Sequence, residues 1–412
     1  MLTVQKYGGT SVADLDRIRN VAERVAERRK QGEKLVVIVS AMAGQTDHLL
    51  SMAYGITDKP QGRELDVLLA TGEQTTCSLL AIQLNHMGIP ATSFLGHQIR
   101  METDSSFRKA RIKQIDASAV EEALEKGQVA VVAGFQGVDS NGNITTLGRG
   151  GSDTSAVAVA AAMNADVCEI YTDVEGVYTA DPRICPKARK LDRVSYEEML
   201  ELASLGAKVL QIRSVALAYR FGVKLCVRSS FNNNPGTFIV HEDKSMESIL
   251  VAAVAHDKNE AKVSVRRVPD KPGVAANIFQ ALSDANIVVD MIIQNLSAEG
   301  YTDLTFTVPI ADYNSAMELI QRVSADVGAG AVEGETGVAK VSIVGIGMRS
   351  HAGVATKMFN ALAAANINID MISTSEIKVS CVISEADVDR AVQVLHDAFE
   401  LHMPSGAWQA PS

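Results

Sequence analysis

A glycine-rich stretch in the middle of the chain carries residue types that bind phosphate. It reads Thr-Leu-Gly-Arg-Gly-Gly-Ser-Asp-Thr over 146–154 and leads into an alanine-rich run with high helix propensity. Backbone N–H groups at a helix N-terminus form an anion site, and Arg149 adds a forked donor beside them. Ser152, Asp153 and Thr154 are the candidate N-cap residues. The same stretch is compatible with an ordinary capped helix after a tight turn.

A second stretch, Lys-Tyr-Gly-Gly-Thr-Ser at 6–11, has the same ingredients, and two such loops indicate phosphate chemistry. Phosphoryl transfer needs cations and N–H groups on the phosphate oxygens, and a carboxylate that organises lysines and metal. An acceptor carboxylate needs no general base because it is already ionised near pH 7, which fits the lack of a convincing catalytic histidine. The P-loop and protein-kinase signatures are absent. The candidate residues are Lys6, Arg149, Asp153, Asp173, Asp181, Arg183 and Lys208.

Composition and charge exclude several classes of protein. At 412 residues the chain is too long for one ordinary core, so two or three domains are expected. Its formal charge of −10 argues against general binding to nucleic acid or acidic membranes. The five cysteines are scattered, which suits a reducing compartment and gives no metal cluster. There is no apolar signal core or membrane-spanning run, so we expect a soluble cytoplasmic protein.

The elements that must position these residues alternate between strands and helices. Strands are expected at 2–5, 35–39, 129–133, 167–171 and 223–228. Helices are expected at 15–29, around 64–87, directly after 154 and in two segments between 196 and 220. The intervening segments 40–47, 134–137 and 172–183 are expected to be loops or turns. This alternation predicts a mainly parallel sheet covered on both faces, with ligands at the C-terminal strand ends.

The C-terminal part of the chain repeats itself at a constant offset of 80 positions. Residues 270–292 and 350–372 share a Gly turn followed by Val, Phe, Leu, Asn, Asp and Met at matching places. Each copy reads as a ferredoxin-like βαββαβ module. Core packing explains the recurring apolar residues but not the recurring Asp290 and Asp370. The recurring aspartates favour a pair of ligand sites.

Together these motifs resemble the aspartate kinases. The loops 6–11 and 148–153 resemble that family's two signature loops, and 173–183 resembles its nucleotide segment. The tandem repeats resemble its paired ACT domains, and the length is that of the monofunctional form. The resemblance implies an α/β/α sandwich of the amino-acid-kinase type with a mainly parallel sheet, followed by tandem ferredoxin-like ACT domains. The expected division is a catalytic domain over 1–245, a first ACT region over 246–335 and a second over 336–412.

The resemblance implies transfer of the γ-phosphoryl group of ATP to the side-chain carboxylate of L-aspartate, with Mg²⁺. The product would be 4-phospho-L-aspartate, the first step of lysine, threonine and methionine biosynthesis. Lys6 would stabilise the transferring phosphoryl group and Asp153 would position the cationic groups. The implied aspartate-binding residues are Ser40, Thr46, Glu73, Arg149, Gly150, Gly151 and Ser152, with Arg149 on a carboxylate and Glu73 on the ammonium. The implied ATP-binding residues are Lys6, Gly8, Gly9, Thr172, Asp173, Tyr178, Asp181, Arg183 and Lys208. No residue is assigned as a metal ligand.

In the repeats the resemblance implies feedback inhibition by L-lysine and L-threonine. One site would comprise Asp270, Gly273, Ala275, Gln294, Asn368 and Ile369, and the other Asp290, Val354, Ala355, Met358, Ser375 and Glu376. Acidic Asp290 and Glu376 suit the ammonium of lysine. At Ala355 the chain lacks the threonine that related sequences often carry, which weakens that contact. Because the sites draw on both repeats, the repeats should pack side by side.

The resemblance also implies assembly, because ACT sheets commonly pair between chains. We expect a homo-oligomer, or a tetramer with a shorter regulatory subunit made from an internal start at Met246. Two other functions stay open. Another amino-acid or carbamate kinase would share the fold but generally lacks the paired repeats. A catalytically silent amino-acid sensor would be favoured by loss of Lys6 or Asp153, and both residues are present.

Overall fold

A computed structural model describes residues 1–205, 209–242, 250–296 and 300–403. The chain divides into two compact units. The first comprises Met1–Val177, Lys190–Ala203 and Lys208–Glu242, and the second comprises Tyr178–Arg189, Ser204–Ala207 and Asp243–Ser412. The boundary expected near 245 lies outside the described residues. None of the described helices combines the length and the apolar character needed to cross a membrane.

The first unit alternates strands and helices along the chain. Its strands are β1 (Leu2–Tyr7), β2 (Lys34–Val39), β3 (Ala91–Phe94), β4 (Glu102–Thr103), β5 (Ile112–Gln114), β6 (Val129–Ala133), β7 (Gln136–Val138), β8 (Ile144–Thr146), β9 (Val167–Thr172), β10 (Arg193–Ser195), β11 (Leu225–Ser229) and β12 (Thr237–Val240). Its helices are α1 (Leu15–Lys30), α2 (Gln45–Ile56), α3 (Gly62–His86), α4 (Ser118–Glu125), α5 (Gly151–Ala162), α6 (Tyr196–Ser204) and α7 (Ile212–Phe221).

The main sheet of the first unit confirms the predicted α/β class. Its strand order is β10-β12-β11-β9-β1-β2-β6-β3, and every neighbouring pair is parallel except β11 with β12. The strands β2 and β6 are apolar over nearly their whole length and buried, as expected for parallel strands covered on both faces. Helix α1 covers one face with Ile18, Val21 and Val25, the residues whose spacing predicted the helix.

Two local expectations differ from the structure. Helix α2 begins at Gln45, inside the segment expected to be a loop, after Gly44 adopts a left-handed conformation with φ 76°. Helix α2 buries only Leu49 and Ala53, so its apolar periodicity is weak. The expected exit turn at 134–137 leads directly into β7, which joins a second, smaller sheet of order β5-β4-β7-β8. The short strands of that sheet carry too few alternating residues to be recognised from sequence.

The second unit contains both repeats in one sheet. Its elements are β13 (Ala253–Pro269), α8 (Val274–Asp284), β14 (Ile292–Leu296), β15 (Tyr301–Val308), α9 (Tyr313–Asp326), β16 (Val332–Val344), α10 (Val354–Ala364), β17 (Met371–Thr374), β18 (Lys378–Ser384) and α11 (Val388–Ala398). The strand order is β14-β15-β13-β16-β18-β17, and all pairs are antiparallel. The prediction that the repeats pack side by side is therefore confirmed.

The two central strands each serve both repeats. The first half of β13 pairs with the second half of β16, with Ala253 opposite Val344. The second half of β13 pairs with the start of β16, with Val265 opposite Val332. A β-bulge near Glu260 separates the two halves. The first half of β13 therefore lies beside the strand that opens the second repeat, and this pairing joins the two modules into one sheet.

Candidate active site

An ion pair between Lys6 and Asp153 lies at the centre of the first unit's candidate site. Lys6 is carried by β1 and Asp153 by the first turn of α5, and Nζ lies 2.7 Å from Oδ1. Only 11% of the Lys6 side chain and 10% of the Asp153 side chain are exposed. A charge pair shielded from water interacts more strongly than one at the surface. In this structure Asp153 therefore holds the Lys6 ammonium in place.

The glycine-rich loop before α5 requires its glycines for steric reasons. Gly150 has φ 70°, and a Cβ there would lie 1.9 Å from Cγ of Gln211. A Cβ on Gly151 would lie 2.7 Å from Cδ2 of Phe135. The loop can therefore pack this closely only if both positions lack a side chain.

The N-cap of helix α5 lies two residues before the first of the candidate caps. Gly150 is the N-cap, no side chain caps the helix, and Ser152, Asp153 and Thr154 lie inside the first turn. The sequence-based assignment of the cap was wrong because left-handed Gly150 can end the loop before a hydroxyl or carboxylate is reached. The first N–H groups of a helix lack partners within the helix. Together with the helix dipole they form a binding position for an anion.

A pocket of about 420 Å³ opens beside the ion pair, entirely within the first unit. It brings together all of the predicted aspartate-binding residues with the two predicted catalytic ones. These lining residues are Ser40, Thr46, Glu73, Arg149, Gly150, Gly151, Ser152, Lys6 and Asp153. The predicted ATP residue Gly9 lines it as well. Residues separated by almost 150 positions in sequence thus share one cavity because β1 and the α5 N-terminus meet there.

Glu73 is the most unusual group in this pocket. It lies on α3, is 4% exposed, and its Oε1 accepts a hydrogen bond of 3.0 Å from the N–H of Ala41. Its Oε2 is buried without a hydrogen-bond partner among the described residues. Burial raises the pKa of Glu73 to about 7. A buried carboxylate with an unused oxygen is suited to a cationic group of a ligand.

The pocket is also lined by residues that sequence reasoning did not assign to it, and three of them carry polar or aromatic side chains. They are Asp47, Phe135 and Gln211. Phe135 has φ 70°, an unusual backbone conformation for an aromatic residue, and its N–H donates to Oγ of Ser155 at 3.0 Å. The Gly-Phe dipeptide at the end of β6 was a signal for such a turn. Asp47 and Gln211 lie at the start of helices and carry no motif of their own.

The predicted ATP-binding residues of the first unit gather at the ends of β1 and β9. These strands are parallel neighbours with Tyr7 opposite Tyr171, so Gly8 and Thr172 follow adjacent strand ends. The N–H of Gly8 donates to the carbonyl of Tyr171 at 3.2 Å, and a Cβ on Gly8 would lie 3.3 Å from Nζ of Lys6. The hydroxyl of Thr172 donates to Asp173 Oδ1 at 3.0 Å. The C-terminal edge of a parallel sheet is the usual ligand position in this class.

The remaining predicted ATP residues fall elsewhere. Tyr178, Asp181 and Arg183 belong to the second unit. Arg183 binds Asp181 with Nη2 2.7 Å from Oδ2 and Nε 3.0 Å from Oδ1. This forked contact lowers the pKa of Asp181. Lys208 lies outside the described residues.

The predicted effector residues surround the helices and edge strands of the second unit. Gly273 and Gly353, 80 positions apart, are the left-handed N-caps of α8 and α10, with φ 94° and 89°. The exposed predicted residues are Asp270, Asp290, Gln294, Asn368, Ser375 and Glu376, while Ala275, Ala355 and Ile369 are half-buried. Val354 and Met358 lie in the apolar core of the second repeat. Nε of Arg349 lies 3.5 Å from Oε2 of Glu376.

Both recurring aspartates are paired with lysines of the central strands. Asp290 contacts Nζ of Lys340, which also lies 2.6 Å from Oε1 of buried Glu260. Asp370 lies 3.0 Å from Nζ of Lys262. Burial by itself disfavours an ammonium, but Glu260 and Asp290 together raise the pKa of Lys340. The recurrence of these aspartates therefore has a structural reason in addition to the expected ligand site.

One group of side chains in the described residues has ligand atoms close enough to hold a metal ion. His396, Asp397 and His402 have such atoms within 4.8 Å of one another. Asp397 is bound by Lys187 at 2.9 Å, and Nε2 of His396 lies 2.9 Å from the hydroxyl oxygen of Thr179. These contacts give both residues protein partners, so an ion is not needed to explain their arrangement.

Comparison with known proteins gives a consistent result over the whole chain. The amino acid kinase family matches residues 1–229, and the ACT domain matches 263–323 and 341–399. An aspartate kinase from Stutzerimonas stutzeri is 55% identical over 406 residues, which are 98% of each chain. The crystal structure of E. coli aspartokinase III with aspartate and ADP is 26% identical, with a TM-score of 0.80 over 97% of this chain and 99% of that one. The same enzyme with lysine and aspartate gives a TM-score of 0.78, at 26% identity and the same coverage.

Proposed function

The chain belongs to the aspartate kinases of the amino acid kinase family, and we propose which of its residues carry each part of the reaction. An aspartate kinase transfers the γ-phosphoryl group of ATP to the side-chain carboxylate of L-aspartate and forms 4-phospho-L-aspartate. The observation that carries the assignment is the single pocket that contains the Lys6–Asp153 ion pair and buried Glu73.

Aspartate is bound by its α-amino and carboxylate groups. Glu73 receives the ammonium, because its Oε2 is buried and has no hydrogen-bond partner among the described residues. Arg149 binds a carboxylate through its forked guanidinium, and Ser40 and Thr46 contribute hydroxyl groups. Gly150 and Ser152 present backbone N–H groups at the start of α5, while Gly151, whose own N–H donates to the carbonyl of Gly148 at 2.9 Å, lets the substrate approach the backbone closely. The bound substrate then has its reactive carboxylate between this helix and Lys6.

Phosphoryl transfer follows from the charges of the pocket. A side-chain oxygen of aspartate attacks the γ-phosphorus, the bond from phosphorus to the β,γ-bridging oxygen breaks, and ADP leaves. The attacking carboxylate is already ionised near pH 7, so no proton has to be removed. Lys6 neutralises charge on the transferring group, and Asp153 keeps Lys6 in place. The α5 N-terminus adds N–H donors that need no reorganisation during the reaction.

Nucleotide binding involves the loop after β1 and the segment after β9. Gly8 and Gly9 allow the phosphates to approach Lys6, since a Cβ on Gly8 would crowd its ammonium. Thr172 and Asp173 follow on the neighbouring strand, and Tyr178, Asp181, Arg183 and Lys208 complete the proposed set.

The pocket fits a magnesium ion that is held mainly by ATP. No three ligating side chains converge among its described residues, whereas Mg²⁺ commonly keeps several waters and binds substrate phosphates with one or two carboxylates. Asp153 is the carboxylate that would contact it. When bound, the ion supplies positive charge for the β- and γ-phosphates.

The second unit is proposed to bind L-lysine and L-threonine as feedback inhibitors. E. coli aspartokinase III has been crystallised in complex with lysine and aspartate. In this chain Asp290 and Glu376 supply exposed carboxylates for an ammonium, while Gly273 and Gly353 begin two helices whose N-termini suit α-carboxylates. The proposed sites are the two sets of residues named from the sequence. The ammonium of Lys340 contacts the carboxylate of Asp290 in this structure, and it would compete there with the ammonium of a lysine ligand.

Assembly and location complete the proposal. The outer strands β14 and β17 leave sheet edges that suit pairing with another chain, so we propose an oligomer through the ACT repeats. A shorter regulatory subunit beginning at Met246 would contain both repeats. All five cysteines are free and buried, which suits the reducing cytoplasm.

A comparison of two substrates tests the proposed function against the activity of another amino-acid kinase. The enzyme is incubated with ATP, Mg²⁺ and hydroxylamine, and with either L-aspartate or L-glutamate, and the acyl hydroxamate is measured. We expect product with aspartate and at most a trace with glutamate. Preference for glutamate would assign the pocket to another amino-acid kinase, and absence of product with either substrate would favour a catalytically silent sensor.

A further inference from the structure

Residues 178–189 form a closed loop that belongs to the second unit. Thr179 closes the loop, because its N–H donates to the carbonyl of Arg189 at 2.9 Å. The N–H of Arg189 in turn donates to Oγ1 of Thr179 at 2.9 Å. Within the loop, the carbonyl of Asp181 accepts the N–H of Cys185 at 2.8 Å. The backbone that carries the Asp181–Arg183 pair is therefore held in one conformation.

Thr179 also ties this loop to the body of the second unit. Its hydroxyl oxygen lies 2.9 Å from Nε2 of His396 on α11, and its carbonyl accepts the N–H of Val254 on β13 at 2.8 Å. Thr179 is 1% exposed and His396 is 0% exposed. Ala180 and Cys185 lie in the apolar core that α10 and α11 share. The loop is thus built into the second ACT repeat.

His396 is the polar group that completes this attachment. Because Oγ1 of Thr179 already accepts the Arg189 N–H, its hydroxyl hydrogen is available for Nε2 of His396. Burial lowers the pKa of His396, so the ring is neutral and can accept that hydrogen. Nδ1 is buried and makes no hydrogen bond with the described residues. Among the described residues the ring therefore makes one hydrogen bond, and that bond is a buried side-chain contact between α11 and the loop.

We propose that His396 is a positioning residue for ATP, acting through Thr179. By fixing the loop, it fixes the direction in which Tyr178, Asp181 and Arg183 are presented to the nucleotide. This inference rests on the proposed function, in which those three residues bind ATP. It goes beyond that function because it makes the last helix of the second ACT repeat a determinant of nucleotide affinity.

Two other contacts between the loop and α11 provide matched controls. Lys187 binds Asp397 at 2.9 Å, and Nε2 of Gln393 donates to the carbonyl of Ile184 at 2.8 Å. Both contacts are exposed, and exposed ion pairs contribute little. Asp397→Asn is therefore expected to change little, although it lies beside His396 in the sequence.

The test compares His396→Leu with His396→Gln in the full chain. Leucine removes the acceptor and keeps an apolar side chain, whereas the glutamine amide can reach the position of Nε2. Steady-state rates are measured with varied ATP at saturating aspartate, and with varied aspartate at saturating ATP. Loss of one buried hydrogen bond should raise the KM for ATP roughly three- to tenfold. The KM for aspartate should stay within about twofold, and His396→Gln should recover most of the ATP affinity.

A second pair of variants approaches the same contact from the loop. Thr179→Val removes the hydroxyl at nearly constant volume, and Thr179→Ser retains it. Thr179→Val should raise the KM for ATP at least as much as His396→Leu, and Thr179→Ser should behave like the unchanged protein. If His396→Leu does not fold, this pair decides the question. An unchanged KM for ATP in the folded apolar variants, or equal increases in both KM values, would overturn the inference in favour of a purely structural contact.

Arg183→Ala distinguishes this inference from the proposed function. If Arg183→Ala raises the KM for ATP while the His396 and Thr179 variants do not, the loop binds nucleotide but His396 does not position it. An unchanged KM for ATP in Arg183→Ala would instead refute the assignment of the loop to the nucleotide, and with it the inference.

Discussion

Glu260 and Lys340 occupy equivalent positions in the two repeats, 80 residues apart, and their side chains meet at 2.6 Å in the middle of the shared sheet. The Glu260 residue is 4% exposed and the Lys340 residue 3% exposed. If both repeats carried the same charged residue at this position, two like charges would lie together in a buried site, which is unfavourable. One acidic and one basic residue therefore distinguish the two copies and join them.

The first prediction concerns this pair. Lys340→Met should lower the free energy of unfolding of the second unit by about 3–5 kcal/mol, because it leaves the Glu260 carboxylate buried without a cation. The double variant with Glu260→Gln should regain most of that loss. Differential scanning calorimetry of the full chain measures both. Lys262→Met is the control. The partners of Lys262, Asp370 and Glu335, are more exposed than Glu260, so water can solvate their carboxylates when the lysine is removed. Equal losses in the Lys340 and Lys262 variants would contradict the prediction.

The second prediction concerns substrate affinity and pH. Glu73 must be ionised to bind an ammonium, and burial raises its pKa to about 7. The KM for aspartate should therefore be constant above about pH 8 and rise roughly tenfold per pH unit well below pH 7. Glu73→Gln should raise the KM at pH 8 by at least about 30-fold, since it leaves the ammonium without a counter-charge.

The Glu73→Gln variant should also lose this pH dependence. Glu64→Gln, an exposed change in the first turn of the same helix, serves as the control. Initial rates at several pH values measure these effects. A Glu73→Gln enzyme with the unchanged pH profile would show that another group titrates.

The third prediction concerns stability without substrate. A carboxyl group whose pKa is raised in the folded state stabilises the fold in its neutral form. That contribution is fully present below the unfolded pKa of 4.5 and is lost as the pH rises through about 7. Without substrate, the Glu73→Gln variant should thus have a higher free energy of unfolding than the unchanged protein at pH 8, by up to about 3 kcal/mol. Thermal unfolding at pH 5 and pH 8 checks the trend, and a difference that does not grow with pH would contradict it.

The fourth prediction concerns the glycine-rich loop. Gly150→Ala should cost about 1–2 kcal/mol for its left-handed backbone, and more for the approach of Cβ to Gln211. Because the loop carries Arg149, its displacement should lower kcat/KM for aspartate by about 100-fold. Gly142→Ala is a matched control, since Gly142 has φ 79° with no atom within 4 Å of a Cβ. Similar loss of activity in both variants would indicate a general effect of backbone strain.

Much of the fold was predictable because the informative signals were long and regular. The buried runs of β2 and β6, the periodic α1 and the offset of 80 residues each specified an element or a module. Helix α2 was missed because it buries only two residues, and the small sheet of β4, β5, β7 and β8 because its strands are so short. Neither kind of element leaves a periodic pattern that a sequence can display.

The residues of the candidate site could be predicted where a charged residue lies within a recognisable sequence motif. Lys6, Asp153 and Glu73 were named from motifs, and the structure places all three around one pocket. Gln211 and Asp47 could not be found because their positions depend on how α7 and α2 begin. Likewise, the partners of Asp290 and Asp370 could not be found from the repeat alone. Lys340 and Lys262 reach them only because the two repeats share the central strands β13 and β16.

The central claim is that Lys6 and Asp153 together carry out phosphoryl transfer in this pocket. The most direct measurement is aspartyl hydroxamate formation at saturating aspartate, ATP and Mg²⁺ by Lys6→Met, Asp153→Asn and the double variant. We predict that each single change lowers kcat by at least about 100-fold and that the double variant is little worse than Lys6→Met, because Asp153 acts through Lys6. Circular dichroism checks that the variants are folded. A folded Lys6→Met or Asp153→Asn enzyme that retains a kcat within about twofold of the unchanged protein would contradict the account.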